Sequence, residues 1–296
     1  MPGRSSNSAN PTDLYKFTGH ERDDEAGLTI DYMMARNYDP MIGRFMQIDP
    51  LMEYASPYIY VGNNPLNLID PTGMSSCSDD YYNECGQYLG SDGASTNESR
   101  VIKQSEYESI KNAHGGTTSA EATAALQNSS RTITIHEEQI GAVAQGVATS
   151  SSETGNEYSA YIVFDPENAQ VFAIPGPVGD NTEVSMSYID AGTGGPPLAT
   201  DADGNALGAI VFLSGQVHGH PKTDNPGLVN KAGTSDADKR AAINSGTTVY
   251  SVDAYSRRST GRINRVTPTG AQDNNIGRVG SFKLGLDALR SSGGKN

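Results

Sequence analysis

The order of sequence-predicted elements places this chain in the α/β (α+β) class, with a mixed β-sheet flanked by helices. Three observations lead there. Two runs with helical character, SAEATAAL (119–126) and ITIHEEQIGAVAQGVAT (133–149), precede strand-like runs that begin at Glu157. The apolar run ALGAIVFLSGQVHGHP is followed by helix-like SDADKRAAINS and two more strand-like runs, TTVYSVDAY and GRINRVTP. Residues 14–74 read instead as short β-hairpins placed ahead of that α/β arrangement.

Composition narrows the function classes. With 296 residues, 35% hydrophobic residues, 33 Gly and no Trp, the chain is lean for one compact core. Ordered domains separated by looser segments are expected. A formal charge of −14 and the absence of any basic run argue against a general nucleic-acid binder, which needs clustered Lys and Arg against phosphate. The N-terminus MPGRSSNSANPTDLYKF has no apolar core of a signal peptide, and no stretch approaches the roughly 18 apolar residues of a membrane span. Delivery by another route, or within a larger carrier, is expected. Cys77 and Cys85 share one Ser/Asp/Tyr-rich stretch and read as two surface thiols or a local bridge.

Taken in order, residues 1–13 read as a disordered lead. In 14–74, aromatic runs (LYKFTGHE, LTIDYMMARNYDP, RFMQIDP, SPYIYVGNNP) alternate with Asp-Pro, Gly and Asn-Pro, residues suited to turns. Residues 75–118 are rich in Ser, Asp, Asn and Gly and read as a linker or loosely packed lead-in. The last domain spans 119–296. Within it SSSETGN ends the second helix, EYSAYIVF and AQVFAIP flank a DPEN turn, and a Gly/Pro/Asp-rich excursion (190–208) leads to the HGH strand.

The run YKFTGHERDDEAGLTIDYMMARNYDPMIGRFMQIDP, with SPYIYVGNNPLNLIDPTGM after it, resembles the closing segment of the Rhs/YD-repeat core. In that family the segment closes a β-shell around a variable C-terminal toxin, and the chain is cut just after the DPxG motif. The resemblance implies Asp49 and Asp70 as an aspartyl pair and Met74–Ser75 as the scissile bond. Met74 stands where Leu is usual. On their residues alone, Asp49 and Asp70 read equally as the starts of Asp-Pro turns.

VHGHP is the sharpest local feature of the second half. Side chains alternate faces along a strand, so His218 and His220 point the same way and can share one zinc ion. Downstream, Ser235 and Asp238 stand three apart at a helix start, where Asp238 can complete a three-residue site with a fourth position open. Ser-x-x-Asp is also an ordinary capping box. The combination H-x-H-P…S-x-x-D resembles the JAMM (MPN-type, JAB-like) metallopeptidase signature over roughly residues 119–270. That resemblance implies His218, His220 and Asp238 as Zn2+ ligands and Ser235 as the group that steadies the oxyanion. It also implies a general acid/base glutamate on the first strand, for which Glu157 is the choice over Glu137, Glu138 and Glu153. Gly219 stands where Ser or Thr is usual, and the spacer between Pro221 and Ser235 is long. His20, His114 and His136 read as solvated polar residues.

The resulting expectation is a secreted effector toxin, delivered into a target cell, whose C-terminal domain is a zinc peptidase or isopeptidase. Its partners would be an N-terminal Rhs shell, a cognate immunity protein and a protein or peptide substrate, with no nucleic acid and no membrane span. A metal-free JAB-like binding module and a nuclease toxin are the alternatives.

Overall fold

The computed structural model of the protein describes residues 20–23, 29–33, 35–49, 56–63, 65, 70, 73, 78–94, 96–181, 183–192, 196–207, 210–221, 233–253 and 261–294. These fall into two compact units: residues 1–80, 90–98 and 105–129 form the first, and 81–89, 99–104 and 130–296 the second.

The first unit begins with four short strands, β1 (Glu21–Asp23), β2 (Ile30–Met33), β3 (Arg36–Asp39) and β4 (Arg44–Phe45), in an antiparallel meander. Alternation puts Met33, Tyr38 and Phe45 on one side, where they pack with Tyr60 and Val61 into a small core. The Tyr38 and Tyr60 rings lie 4.6 Å apart and those of Phe45 and Tyr60 5.5 Å. Aromatic area of this kind lets so few residues hold together.

The expected linker over 75–118 needs correction. Its described part carries β5 (Asp80–Tyr82), β6 (Tyr88–Ser91), β7 (Ser99–Val101) and the helix α1 (Gln104–His114). The Ser/Asp/Asn content that suggested a linker serves side-chain hydrogen bonding instead. Asp79 is fully buried and accepts from Thr96 Oγ1 at 2.7 Å, Glu98 N at 3.0 Å and Gln127 Nε2 at 3.0 Å. A second helix, α2 (Ala120–Ser129), buries Ala122 and Leu126. Met74 and Cys77 lie outside the described residues, and Cys85 is a free cysteine.

In the second unit, β8 (Arg131–Thr132) pairs antiparallel with β7. Then come β9 (Thr134–Ile135), α3 (Glu137–Thr154), β10 (Tyr158–Asp165), β11 (Gln170–Val178), β12 (Tyr188–Ile189), β13 (Leu198–Ala199) and β14 (Phe212–His220). The chain ends with α4 (Asp236–Ser245), β15 (Thr248–Asp253), β16 (Arg262–Val266), β17 (Gln272–Arg278) and α5 (Leu284–Gly293). The main sheet runs β17-β16-β15-β14-β10-β11-β9, with β13 on the start of β14 and β12 on β13. The pairs β14–β15 and β11–β9 are parallel, while β10–β11, β10–β14, β15–β16 and β16–β17 are antiparallel, so the sheet is mixed, as expected.

Central strands covered on both faces should read as nearly continuous apolar runs, and β10 does. Ala160, Ile162 and Phe164 enter the large core with α3 and α5, while Tyr161 and Val163 enter a second cluster with Ala199, Val211 and Leu213. Helix α3 buries Ile140, Ala144, Val147, Ala148 and Ser151, a stripe of helical spacing. It runs through the Ser-rich stretch to Thr154 before Gly155, at φ 77°, closes it, so SSSET belongs to the helix. On the opposite face α4 packs Ala242 against Val249 and Val266. Among the described residues no helix is long and apolar enough to cross a membrane.

Candidate metal centre

The site grows out of the alternation along β14. Val217 belongs to the core on the α3 side. Gly219 faces the same way, so close to α3 that a Cβ there would run into Ser151 Oγ and meet Ser151 Cβ at 2.8 Å. Gln216, His218 and His220 therefore face the α4 side. Gln216 confirms that direction by donating to Ser245 Oγ at 2.9 Å and Thr247 Oγ1 at 3.0 Å.

Parallel pairing of β14 with β15 obliges the chain to cross over between them, and α4 is that crossover. Ser235 caps it as a full capping box: Asp238 N donates to Ser235 Oγ at 3.1 Å, and Ser235 N donates to Asp238 Oδ2 at 2.7 Å. The cap turns the Asp238 side chain back over the strand. Its Oδ1 lies 3.1 Å from His218 Nε2, its Oδ2 3.7 Å from His220 Nε2, and the two Nε2 atoms are 2.9 Å apart. The capping reading and the ligand reading of Ser-x-x-Asp are thus served by the same residues.

Glu157 reaches the site by register. Ser159 pairs with His218 across the antiparallel β10–β14 ladder, so two residues further along Glu157 stands opposite His220 on the same face. It precedes β10 and is strapped by its backbone, donating to Asp180 O at 2.7 Å and accepting from Gly179 N at 2.8 Å. Its side chain lines the same cavity of about 390 Å³ as His218, His220, Ser235 and Asp238. The other glutamates considered are elsewhere. Glu137 accepts from Gly285 N and Leu286 N at the start of α5, Glu138 is exposed on α3, and Glu153 is exposed on its last turn. His114 is exposed on the last turn of α1, and His136 precedes α3 with Nε2 3.3 Å from Gln170 Oε1.

Electrostatics of the cavity follow from burial and charge. Burial pushes the Glu157 carboxyl above its ordinary value; the His218 charge opposes this, and Asp238, Asp180 and Glu183 add to it. Burial also works against a charged His218, but Asp238 outweighs it and holds that imidazole above its usual value. His220 is pushed down to about 4 by burial and by His218. Burial opposes ionisation of Asp238 as well, yet the two histidines and the Ser235 N–H hold it well below the carboxylate range.

Two neutral imidazole nitrogens and one carboxylate oxygen suit a borderline-soft cation such as zinc. The ligand atoms of His218, His220 and Asp238 all lie within 4.8 Å of one another, so this donor set fits one small ion with a position left over.

The aspartates of the first unit also meet. Asp49 and Asp70, both buried, reach opposite nitrogens of one guanidinium, Arg36 Nη1 at 3.4 Å and Nη2 at 3.0 Å. Arg36 Nε donates to Gly73 O, and its guanidinium carbon sits 3.6 Å from the Phe45 ring centroid. A Cβ at Gly73, whose φ is 70°, would collide with Met33 O, so the motif's glycine is required by close approach. The sequence reading named neither Arg36 nor Gln216, Glu183 and Tyr188 of the cavity. Gln216 was within reach of the two-residue alternation, and Arg36 lies inside the ARNYDP run of the Rhs-like segment; Glu183 and Tyr188 carry no local signal.

No protein-family model matches the chain, and no solved structure matches it. Salivary gland surface protein 1 of Aedes aegypti is 56% identical over 60 residues, which is 20% of this chain and 2% of that protein. The tRNA nuclease WapA of Bacillus subtilis (strain 168) is 37% identical over 65 residues, 20% of this chain and 3% of that protein. The tRNA3(Ser)-specific nuclease WapA of Bacillus spizizenii matches to the same extent. The chain thus spans only a few hundredths of the length of the curated relatives it matches.

Proposed function

We propose that the second unit is a zinc-dependent JAMM-type peptidase or isopeptidase, delivered into a target cell as the toxin of an Rhs-type protein. The observation that carries this reading is the convergence of His218, His220 and Asp238, in the order H-x-H-P…S-x-x-D, on a cavity that Glu157 also lines. His218, His220 and Asp238 would hold the ion. When bound, zinc supplies Lewis acidity, drawing the pKa of a coordinated water towards about 7 and polarising a carbonyl.

The chain's own residues do the rest. Glu157, with its pKa raised by burial, takes a proton at its carboxylate from the attacking water and returns it to the leaving amine. Ser235 Oγ accepts from Asp238 N and keeps its own proton for the oxyanion. Asp238 is oriented by the Ser235 N–H, so its carboxylate does not swing away from the histidines. In the first unit, Asp49 and Asp70 on Arg36 form the aspartyl pair for cleavage after Met74. The 37% identity over 65 residues with the tRNA nuclease WapA supports a toxin-bearing parent protein.

The test is metal analysis together with mapping of new termini in target-cell lysate. One zinc per chain, lost in His218→Ala, and new termini absent with Glu157→Gln are expected. Identical termini in wild type and Glu157→Gln would end the peptidase reading. The printed activity of the WapA relatives makes a tRNA nuclease the second reading; tRNA cleavage unaffected by Glu157→Gln would establish it instead.

A further inference from the structure

The side of the cavity facing α4 is built by residues 183–188, and its charge is one-sided. Lining residues with charge are Glu157, Glu183, Asp238 and the two histidines, with no Lys or Arg among them. Glu157 is only 9% exposed, and the charge of His218 acts on its carboxylate. A buried carboxylate in a cavity lined by no Lys or Arg favours a cation arriving from outside.

Glu183 stands at the rim of the same cavity. Exposure alternates along the segment, with Glu183, Ser185 and Ser187 exposed and Val184, Met186 and Tyr188 half-buried, the last two against the cluster around Tyr161. Tyr188 Oη donates to Asn244 O at 3.1 Å, which ties the segment to the end of α4. A tight turn fixes the other end. Glu183 N donates to Asp180 Oδ1 at 3.0 Å, and Asp180 N donates to Glu183 O at 3.1 Å. Gly179 lies so close beneath that a Cβ there would collide with Glu183 O. The same turn straps Glu157 through Asp180 O and Gly179 N. The two glutamates are therefore held at a set separation by one hydrogen-bonded unit, while the Glu183 carboxylate makes no ion pair among the described residues.

We infer that Glu183, beside Asp180, is a specificity-determining residue that takes the ammonium or guanidinium of a Lys or Arg side chain on the substrate. This rests on the peptidase reading for its biological meaning, but binding can be measured apart from cleavage. A charge-assisted hydrogen bond at a half-enclosed rim is strong enough to select, and a rim carboxylate held by its backbone loses little freedom on binding.

The experiment uses the full chain carrying Glu157→Gln, so that peptides persist. Four acetylated, amidated tripeptides are titrated with NMR detection: Ala-X-Ala with X as lysine, arginine, norleucine or citrulline. The lysine and arginine peptides are expected to bind about tenfold more tightly than their neutral counterparts, moving resonances of residues 183–188. Adding Glu183→Gln should erase the preference, and Glu183→Lys should reverse it. Equal affinity for all four, or a preference that survives Glu183→Gln, overturns the inference. A protein that takes no zinc and cleaves nothing, yet keeps the Glu183-dependent preference, would remove the peptidase reading and leave this subsite standing. Zinc uptake and cleavage without any cation preference would do the opposite.

Discussion

A carboxylate has two oxygens, and Asp238 uses them differently. Oδ2 accepts from the Ser235 N–H and completes the cap of α4, while Oδ1 lies 3.1 Å from His218 Nε2. Ser235 is likewise shared, since its Oγ caps Asp238 N and its proton remains available. Ser235→Ala should thus have two separable effects. Loss of the cap costs about 1 kcal/mol in urea unfolding, and loss of the proposed oxyanion donor lowers kcat on any cleaved substrate by about 100-fold or more. A stability loss with kcat unchanged would leave Ser235 a cap alone. The Ser-x-x-Asp spacing was legible in the sequence because a capping box is a local pattern. That the same aspartate also faces two histidines was expected only from the order H-x-H-P…S-x-x-D, because the distance itself depends on how α4 crosses the sheet.

At the scale of elements, the approach of β14 to α3 decides what can stand between the two histidines. Gly219 is there because Ser151 occupies the space a Cβ would take. Gly219→Ser should force Ser151 to move, disturbing its acceptance of the Tyr158 N–H at 3.0 Å just after Glu157. A loss of about 1–3 kcal/mol in unfolding free energy is expected, partly recovered by adding Ser151→Gly. No loss in the single variant would mean that α3 stands further off.

The β10–β11 turn makes a prediction in pH. Burial opposes ionisation of Asp165, but hydrogen bonds from Asn168, Gln170 and Glu167 outweigh it and lower its pKa. A folded pKa below the unfolded value of about 3.9 stabilises fully above that value and is lost as pH falls through the folded one. Wild type should therefore exceed Asp165→Asn in stability at neutral pH, with the gap closing below about pH 4 in acid titrations followed by circular dichroism. A gap constant across that range would show that Asp165 acts through its neutral hydrogen bonds only.

At the scale of the whole molecule, the second unit closes its core with its own C-terminus. Leu284, Ala288 and Leu289 of α5 are buried with Ile140, Ala144 and Val217, in the cluster that backs the face opposite His218 and His220. The α5 start is held by Glu137, a residue 148 positions earlier than Gly285. Leu289→Ala should cost about 2–5 kcal/mol and, because β14 packs on the same core, weaken retention of the proposed zinc along with stability. Wild-type unfolding in Leu289→Ala would place α5 outside the folded core. Nothing in the periodicity of 271–296 announced this helix, since a ten-residue stretch with two glycines gains its helicity from packing rather than propensity.

Residue spacing alone determined the mixed α/β character of 119–296, the shared face of His218 and His220 and the cap of α4. Each depends only on the two-residue repeat of a strand or the first turn of a helix, geometry that any local stretch carries with it. Tertiary structure alone decided that Glu183 joins the cavity, by a turn strapped to Glu157, and that Glu157 arrives there by strand register. It also decided that residues 78–118 fold, since polar side chains read as linker until their buried partners are known. Register and burial are properties of pairs far apart in the chain, and no window of neighbouring residues contains them.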